Sequence, residues 1–165
     1  MTPITLTSDE VRGILDGRVT QVRRVVEVVP PFEVSFVASH SGRTDRFAFK
    51  GVGDTPVNSE WLEFTCPFGD VGDVLTTLSD DREHDLRITG IRVEQVQDMS
   101  GPDFLACGYP VGGSLMAQLD GWHVQSNTMV DNAVDWFGDQ WDAANDVKYD
   151  ENPWVWVIDF ERETP

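Results

Sequence analysis

The segment Trp154-Val155-Trp156-Val157-Ile158-Asp159-Phe160-Glu161 constrains the fold of this chain more than any other stretch. Side chains alternate faces along an extended strand, so Trp154, Trp156, Ile158 and Phe160 share one side and Asp159 and Glu161 the other. A strand with two tryptophans, an isoleucine and a phenylalanine on one face needs an apolar surface to meet it. Further β-rich segments can supply that surface. Residues 19–29 contain Val22, Val25, Val26, Val28 and Val29 and stop at Pro30-Pro31. Residues 32–37 alternate Phe32, Val34 and Phe36 against Glu33 and Ser35, which predicts a half-buried strand with the phenylalanines inward. Residues 47–49 return as a hairpin partner, and residues 61–64 and 86–96 are further strands. At 165 residues the chain is long enough to bury such a core.

Helices are interspersed. Ile4-Thr5-Leu6 reads as a short strand. Thr7 or Ser8 then caps a helix with Asp9 and Glu10 in its first turn and Val11, Ile14 and Leu15 as its apolar stripe; Gly17 ends it. Ser100 or Asp103 opens a short helix that ends by Gly108, and Asn127 caps a helix over 128–142. Strands dominate, with two or three helices between them. The expectation is one α+β domain over residues 1–165, a small β-barrel with peripheral helices.

The charge is uneven. The chain has 29 acidic and 12 basic residues, a net of −17. Residues 1–50 hold 6 acids and 7 bases, residues 51–100 hold 11 and 3, and residues 101–165 hold 12 and 2. Most of the surface therefore repels a polyanion or an anionic membrane, and an anion site belongs near Arg12, Arg18, Arg23 and Arg24. No stretch approaches the ~20 apolar residues of a membrane span, and Met1-Thr2-Pro3 leads into no secretory pattern. The expected location is the cytoplasm. Cys66 and Cys107 match no metal spacing, and neither do His40, His84 and His123, so no metal or cofactor is expected.

Gly17-Arg18-Val19-Thr20-Gln21-Val22-Arg23-Arg24 lies where the first helix gives way to a strand. In an extended chain Arg18, Thr20, Val22 and Arg24 share one side, and Val19, Gln21 and Arg23 the other. Arginine donates two parallel bonds to phosphate, while Thr and Gln can read polar base edges. Arg18, Thr20, Gln21, Arg23 and Arg24 are thus a candidate ligand site; the alternative is a surface strand whose arginines pair with the abundant acids.

This segment resembles the signature "GRKTQTRR" of ASCH-domain proteins, a PUA-like family. Three further stretches resemble the family's motifs in the same order: Cys66-Pro67-Phe68-Gly69 followed by Val71-Gly72-Asp73-Val74-Leu75; residues 91–100; and Asn152-Pro153-Trp154-Val155-Trp156-Val157 with the residues that follow. The resemblance spans residues 4–162 and is nearest in style to small phage and prophage members. It implies a β-barrel with a cleft beside the first helix that holds RNA or a modified nucleoside. Some members resemble amidohydrolases of N4-acetylcytidine, with a Lys, a Thr and a Glu at work. Here those positions align with Val19, Val22 and, by a looser alignment, Cys107. Valine can neither deprotonate nor donate, which points away from catalysis and leaves a degenerate amidohydrolase, with Thr20 as its residual hydroxyl, as a further alternative. The family's "LWVRET" is replaced by Leu75-Thr76-Thr77-Leu78.

A second pattern lies in residues 128–150. Val130, Val134, Phe137 and Trp141 form an apolar helical stripe, and Asp131, Asp135, Asp139, Asp142 and Asp146 an acidic one beside it. Like charges at i,i+4 each destabilise a helix by about 0.2–0.5 kcal/mol, and the carboxylates lie ~6 Å apart. The stripe is either a solvated face or an imitation of a phosphate backbone aimed at a host nucleic-acid enzyme, with Asp131, Asp135, Asp139 and Asp142 touching that protein. Of Trp136, Trp141, Trp154 and Trp156, one or two are candidates to stack on a base; most are expected in the core.

Overall fold

A computed structural model of the chain describes residues 3–51, 60–79, 82–110 and 127–163. Ten elements follow in order among them: α1 (Ser8–Leu15), β1 (Gln21–Val25), β2 (Val34–Ser39), β3 (Arg46–Gly51), β4 (Trp61–Thr65), β5 (Val74–Ser79), β6 (Arg82–Gln95), α2 (Gly101–Ala106), α3 (Asn127–Ala144) and β7 (Trp154–Arg162). The architecture is mixed α+β, as the sequence predicts. Two compact units emerge. One comprises Met1–Thr5, Arg23–Glu94 and Trp154–Pro165; the other comprises Leu6–Val22 and Gln95–Pro153.

The first unit is built of strands. Its four-stranded sheet runs β1-β7-β6-β5 and its three-stranded sheet β2-β3-β4. β7 sits between β1 and β6, and Val155, Trp156, Val157, Ile158 and Phe160 are all buried. The alternation of residues 154–161 therefore describes only half the case: Val155 and Val157 bury the second face too, as in strands covered on both sides. The predicted apolar surface for the tryptophans is the inner face of β3 and β4. Phe49 stacks on Phe64 with centroids 4.3 Å apart. Trp154 meets Phe49 edge-on at 5.5 Å, and Trp156 meets Phe47 and Phe64 at 5.5 and 5.3 Å. Such edge-to-face pairs add about 0.5–1.5 kcal/mol each beyond the area they bury.

Residues 4–6 form no strand and lead directly into α1. The strand expected at 32–37 begins at Val34 instead, and its face is reversed from Phe36 onward. The register of β2 against β3 shifts between Val34 and Phe36. A bulge of this kind inverts the parity of everything beyond it. Val37 pairs with Phe49 and Ser39 with Phe47, whereas Phe36 points outward and is 55% exposed. β5, paired antiparallel with β6 from Val74↔Arg87 to Ser79↔Arg82, went unpredicted because Thr76-Thr77 interrupts its apolar pattern.

The second unit is built around rings. Phe137 of α3 lies 6.2 Å from Phe104 of α2, 6.1 Å from Trp141 and 6.1 Å from Tyr149. The Trp141 indole N–H donates to the Val147 carbonyl at 2.7 Å, so a buried donor is satisfied. Both helix starts follow the sequence. Thr7 caps α1 and exchanges bonds with Glu10; Ser100 caps α2 and does the same with Asp103. Residues 111–126 lie outside the described part of the chain. Among the described residues, no helix is long and apolar enough to cross a membrane.

The β2–β3 connection is pinned by charge. Arg43 donates to both carboxylate oxygens of the buried Asp45, at 3.0 and 2.8 Å. This bond holds the Asp45 carboxyl below the usual carboxylate range. Behind it the Cys66 N–H donates to the Asp45 carbonyl at 2.7 Å, and burial pushes the Cys66 thiol up. A carboxylate whose folded pKa is depressed stabilises the fold above its unfolded pKa of about 3.9, and that contribution is lost as the pH falls through the folded value. Asp45→Asn is therefore expected to lower the urea midpoint at neutral pH, with the gap to the parent closing below about pH 4. A gap that persists in acid would exclude this ion pair as its origin.

Candidate functional site

α1 ends in a left-handed turn at Gly17, φ +77°, a conformation glycine adopts without strain. The chain then folds back, and the N–H groups of Arg18 and Val19 both donate to the Gly13 carbonyl, at 2.8 and 3.0 Å. Val19 bridges to Cys107, and the Thr20 N–H donates to the Ala106 carbonyl at 2.9 Å. Val19 is wedged so tightly that a Cβ on Gly13 would lie 2.2 Å from its Cγ2, and one on Gly108 2.8 Å from it. On either side of this clamped valine, Arg18 and Thr20 reach solvent. Arg18 lies 3.4 Å from Asp16, and both side chains are more than half exposed. Such a pair is worth about 0–1 kcal/mol and yields readily to a better anion.

Gln21, the next residue, is buried. Its Nε2 donates to Asp103 Oδ1 at 3.1 Å, and the Cys107 thiol lies 3.5 Å from its Oε1. The other carboxylate oxygen of Asp103 accepts from the backbone N–H and the hydroxyl of Ser100, each at 2.9 Å. One carboxylate thus caps α2 and anchors the glutamine. A buried carboxylate needs such a set of donors.

The remaining two arginines are held by the protein itself. The Arg23 side chain is fully buried with its Nη2 2.6 Å from Glu94 of β6, and Arg92 approaches the same carboxylate oxygen at 3.4 Å. Arg24 donates to the carbonyls of Arg23 and Thr5, at 2.8 and 2.7 Å. Of the five predicted ligand residues, then, Arg18 and Thr20 are exposed and Arg24 is half-buried, while Gln21 and Arg23 serve the interior. Val19 and Val22, aligned with the catalytic positions of the resembled family, are both buried aliphatic side chains.

On α3 the acidic stripe is exposed as predicted: Asp131, Asp135, Asp139 and Asp142 face solvent, while Phe137 and Trp141 are buried. Asp142 has a second task, accepting the Tyr149 N–H at 2.8 Å. Lys148 does not neutralise the stripe; its ammonium donates to the carbonyls of Asp142 and Asn145, closing the helix C-terminus. Among the described residues no group of His, Cys, Asp and Glu side chains is placed to hold a metal.

One surface escaped the sequence reading. On the outer face of β2-β3-β4, Phe36, Lys50 and Trp61 form a row across the three strands, and Ala38, Ala48 and Glu63 the next. The Lys50 ammonium lies 3.5 Å above the Trp61 ring. The signal was present in Trp61 and Lys50, but the parity of Phe36 concealed the row. No family model matches the chain, and no curated protein or solved structure matches it either.

Removing one partner of a buried ion pair strands the other, which typically destabilises by about 3–5 kcal/mol. Glu94 keeps Arg92 and some solvent contact, so Arg23→Ala is expected at the low end of that range, about 3 kcal/mol in urea denaturation. Arg23→Met combined with Glu94→Leu should recover most of that loss, since well-packed apolar replacements of such pairs are near neutral. A single variant as stable as the parent would contradict the buried pairing.

Proposed function

We propose that the protein is a non-catalytic binding module for RNA or a nucleotide, ASCH-like and PUA-like in fold, with its ligand at the junction of α1 and β1. The observation that supports this reading is the clamp on Val19. It fixes the backbone at the strand start and presents the Arg18 guanidinium and the Thr20 hydroxyl to solvent on either side. A guanidinium held only by an exposed carboxylate is available to a phosphate, and the neighbouring hydroxyl can read a polar edge. Gln21 acts from behind, holding Asp103 and Cys107. In this reading the protein works in the cytoplasm, that of a bacterial host if the gene is phage-borne. Fluorescence anisotropy with a mixed pool of short RNAs, titrated from low to physiological salt, tests it. Saturable binding is expected, weakening as salt rises. Arg18→Gln should weaken it severalfold and reduce the slope of log affinity against log salt by about 0.7, one phosphate contact on a single strand. Unchanged affinity and slope would reject the site.

The exposed aspartates of α3 favour a second reading, an acidic surface that occupies the nucleic-acid channel of a host enzyme. Asp131→Asn, Asp135→Asn and Asp139→Asn together leave the Asp142–Tyr149 bond intact and relieve repulsion of about 0.2–0.5 kcal/mol per neighbouring pair. The triple variant should therefore fold at least as stably as the parent and lose its inhibition of bacterial nucleases and polymerases. Inhibition that survives the three changes, or a parent that inhibits none of them, would remove this reading.

A further inference from the structure

The geometry points to a second binding surface, independent of the α1–β1 junction: the outer face of β2-β3-β4 is a stacking platform for single-stranded nucleic acid. The described residues leave few large apolar side chains exposed, and both exposed aromatics are here, Phe36 at 55% and Trp61 at 58%. They are not scattered. Phe36 pairs with Lys50 in the β2–β3 register and Lys50 with Trp61 in the β3–β4 register, so the two aromatic residues flank Lys50, whose ammonium lies over the Trp61 ring. Two inter-strand spacings separate them, about 10 Å. Directly beside the row the floor drops, because the next cross-strand residues are Ala38 and Ala48. The result is a groove with about 200 Å³ of space, lined by Ala38, Arg46, Ala48, Lys50, Trp61 and Glu63. That is below the roughly 300–1,000 Å³ of pockets for drug-sized ligands, so it suits one planar ring laid on the sheet and not an enclosed small molecule.

Charge selects the occupant. In a chain of net −17, this face gathers Arg46 and Lys50 on β3, with His40 lining the same groove. Arg46 and Lys50 are four residues apart on one side of a strand, about 13 Å, and form a track for a phosphate backbone. Bases splayed to either flank meet Trp61 and Phe36. Glu63 is the one carboxylate lining the groove; it repels phosphate and accepts from an exocyclic amino group of a base. A cation above an indole and exposed rings beside a basic track are the elements by which single strands are held without sequence readout. A duplex keeps its base faces stacked inside and offers none of them to Trp61 or Phe36.

The test is anisotropy with labelled RNA and DNA octamers of mixed sequence, single-stranded and as duplexes, at low and physiological salt. The platform predicts that single strands bind at least tenfold more tightly than duplexes. Trp61→Ala should lower single-strand affinity by about five- to a hundredfold, the range for loss of one stacked base, and Trp61→Phe should restore most of it. Lys50→Ala should reduce the salt slope by about 0.7. Tighter RNA than DNA binding would assign the ligand to RNA through its 2′-hydroxyl, and equal binding to single strands in general. Affinity indifferent to Trp61→Ala and Lys50→Ala overturns the platform, as does absence of single-strand binding at low salt. So does a Trp61→Ala variant whose only change is a dimer becoming a monomer in sedimentation, which would make the face a contact between copies. Arg18→Gln separates the two sites. Loss with Arg18→Gln alone overturns the platform and keeps the junction; loss with Trp61→Ala alone does the reverse; loss with neither overturns both.

Discussion

The stack of Phe49 on Phe64 decides what each strand of the sheet unit can do. The two rings come from paired strands and lie on one face, and Trp154 and Trp156 of β7 close over that face edge-on. Sliding β3 against either neighbour by one residue would put Phe47 and Phe49 in water and Ala48 and Lys50 against the tryptophans. The register is therefore fixed by the core, and the outer face inherits its composition as a consequence. Arg46, Ala48 and Lys50 are outside because Phe47 and Phe49 must be inside.

The same constraint explains where the sequence could be read and where it could not. Local signals carried through: Thr7 with Glu10 and Ser100 with Asp103 became reciprocal caps, Gly17 became the left-handed end of α1, and the alternation of residues 154–161 became β7. Each rests on residues within a few positions of one another. Phe36 failed for the opposite reason. Its period-2 neighbours place it inward, and only a bulge between Val34 and Phe36, set by pairing with β3, turns it out.

The candidate ligand strand shows the limit on charged residues. Four arginines in the first twenty-four residues look alike as sequence. Arg23 is interior because Glu94, far along the chain, meets it, and Arg24 is held half-buried by the carbonyls of Arg23 and Thr5. Nothing adjacent to them announces Glu94 or Thr5 as a partner. Arg18 differs because its companion is Asp16, two residues away, and both side chains are more than half exposed. The aspartate stripe of α3 is legible for the same reason: helical spacing is a local property, and the buried Phe137 and Trp141 fix which face is left to water.

The two thiols give the molecule a clock of its own. Cys66 is buried behind Asp45, and desolvation keeps it protonated, whereas Cys107 is half-exposed beside Gln21. Alkylating reagents attack the thiolate and need access to it. Cys107, partly exposed, is therefore expected to meet a reagent before Cys66, which waits until the β2–β3 connection opens. The lag between the two modifications measures how often that corner of the sheet unit comes apart under native conditions, with no probe added to the chain.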